Sequence, residues 1–178
     1  MFSFNHFFRL LTFMAIVILF AHCGSGGKEK PVQNPSKYKE PLIKANQEVA
    51  RTESEQIEDF IRRHKWNMET TNTGLRFMIT KQGIGANALE GRTVKLSYTL
   101  SLLNGDTVYT ALKDGPIVFT VGKGQVITGL EEAILLLKVG DRAKFIIPSH
   151  LAYGLIGDQN KIRQKASLVY DIEFVSMY

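Results

Sequence analysis

From Leu75 onward, hydrophobic and polar residues alternate along the chain. Leu75, Phe77 and Ile79 alternate with Arg76, Met78 and Thr80. Val94, Leu96, Tyr98, Leu100 and Leu102 alternate with Lys95, Ser97, Thr99 and Ser101. The rhythm recurs in Ile117, Phe119 and Val121, in Ala143, Phe145 and Ile147, and in Leu168, Tyr170, Ile172 and Phe174. Successive side chains of a strand point to opposite faces, so the pattern predicts about five antiparallel strands, each with one buried face. Asn104-Gly105 marks a tight turn after the second.

Between Thr128 and Lys138 the rhythm becomes helical. Leu130, Ala133, Ile134 and Leu137 fall at i, i+3, i+4 and i+7. Thr128 and Glu131 have the spacing of a capping box. Lys138 and Gly140 form a stop signal. About ten helical residues are too few to be stable alone, so a helix at 128–138 must lie on the sheet. The predicted fold class is α+β: a curved antiparallel half-barrel sheet of about five strands wrapped on one short helix, preceded by an N-terminal helix.

That N-terminal helix is predicted over Glu40–Trp66, within a segment spanning 39–68. Pro41 suits its first turn. Glu58–Arg62 and Asp59–Arg63 are spaced as i, i+4 ion pairs. Ile57, Phe60, Ile61 and His64 form one stripe, whereas the earlier half, with Leu42, Ile43 and Val49, is sparse. The stripe suits packing against the following domain, residues 69–178. The alternative is docking to a partner or a homodimer through residues 40–66.

The start of the chain has a different character. Arg9 is the only charged side chain before Cys23, and Leu10–Ala21 is apolar apart from Thr12. The run is shorter than the roughly 20 residues needed to span a bilayer but suits a signal-peptide core, giving residues 1–22 as a leader. Cys23, the single cysteine, then stands where a bacterial lipobox places its lipidated residue, with His22 where a small residue is usual. A buried thiol, or an uncleaved anchor beside an incidental cysteine, is the alternative. Residues 23–38, rich in Gly, Ser, Pro and Lys, read as the lipidated cysteine and a flexible tether. With one cysteine, no disulfide can form within the chain.

The net charge of +5 is spread along the sequence, with no basic block, which argues against nucleic acid as a partner. No nucleophile elbow, His-Glu-x-x-His motif or complete phosphate loop is present, so no metal or cofactor is expected. Gly83-x-Gly85 and Gly122-x-Gly124 read as turns. What the pattern can build is an apolar and aromatic cleft, with Tyr98, Phe119, Val126, Ile127, Tyr153 and Tyr170 as candidate walls.

Several motifs occur in a set order: V-K-L-S-Y-T at 94–99, the Asn104-Gly105 turn, P-I-V-F-T-V-G-K at 116–123, V-I-T-G-L-E-E at 126–132, V-G-D-R-A-K at 139–144, A-Y-G at 152–154 and L-V-Y-D-I-E-F at 168–174. Together they resemble the FKBP-type peptidyl-prolyl cis-trans isomerases over roughly Leu75–Tyr178. The order of lipobox, tether, helix and isomerase-like domain is similar to the gliding-motility-associated group of such lipoproteins. The resemblance implies a proline pocket with Tyr98, Phe119, Val126, Ile127, Leu130 and Tyr153 as catalytic residues. It implies Val108, Tyr109, Ile117, Ile162 and Tyr170 as substrate-binding ones. It further implies that the Ile127 backbone N–H and the Tyr153 hydroxyl donate to substrate carbonyls, and that no cofactor or metal takes part. Proline-containing polypeptides would be the clients, and the membrane would be reached through the N-terminal lipid, in a cell-envelope lipoprotein of the outer membrane facing the periplasm. The other use of such a cleft is non-catalytic: a peptide-binding or chaperone module of an envelope machine.

The chain departs from the family at several places. Leu130 stands where the best-known members have a Trp floor, and Tyr109 where a carboxylate is usual. Asp158 and Arg163-Gln164 replace a His and a Pro pair. Tyr170 replaces a Phe, and its hydroxyl needs a partner.

Overall fold

The computed structural model describes residues 35–178. The leader, Cys23 and most of the tether lie outside the described residues. Helix α1 spans Pro35–His64. It is followed by β1 (Glu69–Thr70), β2 (Arg76–Lys81), β3 (Thr93–Leu102), β4 (Thr107–Thr110), the short helix α2 (Ala111–Asp114), β5 (Ile117–Thr120), α3 (Thr128–Leu135), β6 (Arg142–Ile147) and β7 (Leu168–Met177). The strands form one antiparallel sheet in the order β1-β2-β6-β7-β3-β4, with β5 also pairing β3.

The alternating residues are the ones that fill the interior. Val94, Leu96 and Leu100 of β3, Ala143, Phe145 and Ile147 of β6, and Leu168, Tyr170, Ile172 and Phe174 of β7 are all buried in one cluster. Helix α3 closes that cluster with Leu130, Ala133 and Ile134. The five anticipated strands are present, and two short ones, β1 and β4, extend the sheet. Too short to show a periodicity, they take their place by pairing with β2 and β3.

Helix α3 is shorter than the expected 128–138. Leu136 N–H and Leu137 N–H turn back to Ala133 O and Ile134 O, three residues away, tightening the last turn. The Lys138 N–H is then taken by the buried Asp141 carboxylate at 2.9 Å, which also accepts from Gly83 N–H at 2.6 Å. The capping box does not form either. Ile127 is the N-cap and has no side-chain cap bond. Thr128 Oγ1 donates instead to Leu151 O at 3.2 Å. Glu131 reaches away from the helix to accept from Gly122 N–H and Gly124 N–H, at 2.6 and 3.0 Å.

Helix α1 begins five residues before Glu40, so Pro41 lies inside it rather than in its first turn. Its second half belongs to the compact unit Ile43–Tyr178. There Ile57 and Phe60 are buried with Ile146 and Val169, from the opposite face of the sheet to the main core. Fully burying a side chain of this size is worth about 1.5–3 kcal/mol, so the helix is an integral cover of the sheet. The expected i, i+4 pairs are replaced. Glu58 accepts from Arg76 Nη2 of β2 at 3.0 Å, and Asp59 pairs with Arg62. Arg76, only 7 % exposed, also donates to Ser54 Oγ and Gly74 O, at 2.7 and 2.6 Å. A buried guanidinium with several acceptors draws Glu58 more strongly than an exposed helical partner can.

Candidate active site

Between β3, β4 and the N-terminal end of α3 the sheet leaves a cleft of about 300 Å³. Tyr98 and Leu100 of β3, Tyr109 of β4, Ile117 of β5 and Tyr170 of β7 line one part of it. Gln125, Val126, Ile127, Leu130 and Tyr153 line the rest. The Tyr98 and Tyr170 rings lie 6.1 Å apart on the sheet. Leu130, 1 % exposed, lies beneath them in the core.

Eight of the eleven residues expected at the site meet here. Phe119 is 2 % and Ile162 is 3 % exposed; both belong to the core behind the cleft. Val108 packs against that core, and its carbonyl accepts from Lys161 Nζ at 3.2 Å. Leu100 and Gln125 join the lining unanticipated. Leu100 shares the inner face of β3 with Tyr98 and was legible from that alternation. Gln125 carries no sequence signal. Its Oε1 accepts from Thr120 N–H at 2.7 Å, which fixes the loop leading to Val126.

That loop is held twice, by Gln125 and by the Glu131 carboxylate on Gly122 and Gly124. It delivers Ile127 in an extended conformation, φ −60° and ψ 146°. Among the described residues, no acceptor meets the Ile127 N–H, so it is available to a ligand. The Ile127 carbonyl accepts from Leu130 N–H and Glu131 N–H, at 2.9 and 3.2 Å.

The loop after Tyr153 is built around Asp158. Its Oδ1 accepts from Asn160 N–H and Ile162 N–H, at 2.9 and 2.7 Å. Its Oδ2 accepts from the Tyr109 hydroxyl at 2.6 Å. Asn160 Nδ2 donates to the same hydroxyl at 3.2 Å, and Lys161 Nζ sits 4.6 Å from the Tyr109 ring centre. Gly157 makes the bend possible: with φ at 73°, a Cβ would fall 2.3 Å from Ile162 O. A carboxylate-centred turn thus shapes the loop, and it brings a carboxylate to β4 although Tyr109 itself has none. No fully enclosed side-chain N or O atom among the described residues lacks a partner; the Tyr170 hydroxyl, which no protein group among them meets, opens onto the cleft.

The protonation states follow from these surroundings. Burial, then the nearby Asp158 charge, pushes the Tyr153 hydroxyl above the usual phenol value. Burial does the same for Tyr98, with Asp114 and Tyr153 adding to it, and for Tyr170, with Tyr153 and Tyr98 adding to it. The bond to Asp158, then burial, raises Tyr109. Burial opposes ionisation of Asp158, but the Tyr109 hydroxyl and the loop N–H groups outweigh it and hold its carboxyl below the usual range. The Tyr109–Asp158 clasp is therefore complete above the ordinary carboxylate value and is lost only as pH falls through the lower folded one. The tyrosines keep their donor protons below the ordinary phenol value and lose them only above it. Any activity of the cleft should accordingly be flat from about pH 5 to 9, as a pH–rate profile would measure; a bell centred near neutrality would contradict these assignments.

A tyrosine-rimmed apolar cleft with a free backbone donor lies on a curved antiparallel half-barrel sheet closed by one short helix. Residues 85–175 match the family model of the FKBP-type peptidyl-prolyl cis-trans isomerases. The probable FKBP-type peptidyl-prolyl cis-trans isomerase FkpA of Neisseria meningitidis serogroup B is 38 % identical over 132 residues, 72 % of this chain and 47 % of its own length. The FK506-binding protein of the same organism is 33 % identical over 106 residues, 59 % of this chain and 97 % of its own. Among solved structures, AtFKBP13 superposes with a TM-score of 0.60 at 29 % identity, over 63 % of this chain and 99 % of the other. The chain belongs to the FKBP-type peptidyl-prolyl cis-trans isomerase family. It spans about half the length of the first curated relatives it matches.

Proposed function

We propose that the protein is an exported, lipid-anchored peptidyl-prolyl cis-trans isomerase that assists the folding of cell-envelope polypeptides, working through the cleft between β3, β4 and α3. The observation that carries the reading is the convergence of an unpartnered Ile127 N–H and a protonated Tyr153 hydroxyl on one apolar cleft. An X–Pro amide resists rotation because of C–N resonance, with a barrier of about 18–20 kcal/mol. In the twisted transition state that resonance is lost, and the carbonyl oxygen carries less negative charge. An apolar wall of Ile117, Val126 and Leu130 disfavours the planar, more polar amide relative to the twisted one. Fixed donors at the flanks hold the peptide while one end turns. No acid–base step is required, consistent with tyrosines that keep their protons across neutral pH. Lipid anchoring rests on Cys23 behind the Leu10–Ala21 run, and the outer membrane is the destination the leader and tether suit.

The test is cis–trans exchange of an X–Pro peptide, followed without a coupled protease. Tyr153→Phe removes one donor and keeps the ring, so kcat/KM should fall roughly 2- to 12-fold, the equivalent of a single hydrogen bond of about 0.5–1.5 kcal/mol. Exchange no faster than in buffer for the wild type, or an unchanged rate for the variant, would sink this reading.

A second reading, a peptide-holding module without catalysis, is favoured by one specific observation. Leu112, in the short helix α2 after β4, is 94 % exposed, and Leu155 and Ile156 are 70 % and 73 % exposed, immediately after the cleft loop's Tyr153-Gly154. Such residues suit an extended apolar chain more than a single dipeptide. Suppressed aggregation of an unfolded client, without accelerated exchange, would select it.

A further inference from the structure

The Tyr153 loop has two feet, and one residue of helix α1 holds both. The first foot is the single 3₁₀ turn Ser149–Leu151 that follows β6. The second is Ser167, the residue before β7. Glu53 Oε1 accepts from Ser149 N–H at 2.6 Å and from Ser167 Oγ at 2.6 Å, and Oε2 accepts from Ser149 Oγ at 2.9 Å. Ser149 and Ser167 are 8 % and 5 % exposed. Three donors on one carboxylate at these distances are charge-assisted bonds, stronger than their neutral counterparts.

The bonds continue from this point into the cleft. Ser149 O accepts from Ala152 N–H and Gly154 N–H, at 3.1 and 2.9 Å, and so brackets Tyr153. Gly154 O accepts in turn from Lys165 N–H at 2.7 Å, closing the loop near its second foot. Leu151 O receives the Thr128 hydroxyl, one residue after Ile127. The Glu53 carboxylate is thus two hydrogen-bond steps from the backbone around Tyr153, and three from that around Ile127.

We propose that Glu53 is a positioning residue for the cleft: by clamping both feet of the 149–167 loop, it makes the docked helix α1 a working part of the site. The inference rests on the isomerase reading for its kinetic consequence, but not for its structural one. A displaced loop shifts the Tyr153 hydroxyl relative to the Ile127 N–H, and misplacement by about 1 Å can cost up to 10²-fold in rate.

The test uses the full chain with Glu53→Ala, Glu53→Gln and, as a stability control, Phe174→Leu. Phe174 is fully buried near the end of β7 away from the loop. Amide hydrogen exchange at Ala152 and Gly154 should quicken at least about tenfold in Glu53→Ala, while that at Ile172 stays as in the wild type, the signature of local opening. The kcat/KM should fall about fivefold or more. Glu53→Gln keeps an oxygen for the Ser149 N–H and should restore most of both. Phe174→Leu should lower the melting temperature while leaving exchange at Ala152 and Gly154 and the activity at 25 °C near wild type. Unchanged exchange at Ala152 and Gly154 in Glu53→Ala would overturn the proposal, as would an equal effect from Phe174→Leu. A wild type without isomerase activity would remove the function proposed above, and the exchange measurement would still decide the clamp.

Discussion

Replacing Gly129 with alanine is expected to destabilise the protein by about 1–3 kcal/mol, the range for overpacking a filled interior. Helical propensity alone points the other way, since Gly→Ala inside a helix normally gains about 0.5–1 kcal/mol. Here the close approach of α3 to the sheet decides the sign. A Cβ at 129 would lie 2.3 Å from Ile147 Cγ2 and 3.1 Å from both Cβ and O of Leu151. Ile147 is fully buried in β6, and Leu151 receives the Thr128 hydroxyl, so neither can give way without moving the helix or the Tyr153 loop. Urea unfolding of the two proteins measures the difference, and the same variant should lose activity because Ile127 and Leu130 ride on that helix. A midpoint equal to or above the wild type would show that α3 and β6 are less tightly packed than the geometry requires.

The second large effect concerns the Ile127 N–H. The N-cap φ of −60° is close to the value that proline imposes, about −65°, so Ile127→Pro removes the donor while leaving that torsion intact. Ile127→Ala is the companion variant: it loses the side chain and keeps the N–H. The proline variant should have a kcat/KM about tenfold below that of the alanine variant, which corresponds to about 1.4 kcal/mol, within the range of one hydrogen bond to a substrate carbonyl. Equal rates in two folded variants would remove the backbone donor from the mechanism.

How much of this could be read from the chain differs by element. The inner faces of β3, β6 and β7 were fully legible, because burial on one side of a strand imposes its alternation on the sequence. The outer face was not. Ile146 and Val169 occupy positions that read as the solvent side, and only α1, lying on them, makes them core. The stripe Ile57–Phe60 pointed to packing against the following domain without saying which face of the sheet it covers.

The departures at α1 and α3 share one cause. Capping boxes and i, i+4 pairs are local motifs, and local partners lose to better-placed distant ones. Glu58 goes to the buried Arg76, Thr128 to Leu151 and Glu131 to the glycine turn before the cleft. Asp158 follows the same logic. Read as a replacement within a loop, it carries no recognisable motif; in the structure it organises that loop and reaches Tyr109 on the far strand. Within the site, the expected residues on strand faces and beside the V-I-T-G motif line the cleft. Phe119 and Ile162 lie in the core behind it, and alternation distinguishes inside from outside but not cleft wall from core.

One measurement bears most directly on the central claim: magnetisation-exchange NMR of a short X–Pro peptide with catalytic amounts of the full-length protein, wild type against Ile127→Pro. The cleft described above predicts cis–trans exchange well above the uncatalysed rate, which corresponds to tens to hundreds of seconds, roughly, and an acceleration at least about tenfold weaker in the variant. Exchange indistinguishable from the peptide alone, with a folded wild-type protein in the tube, would contradict it.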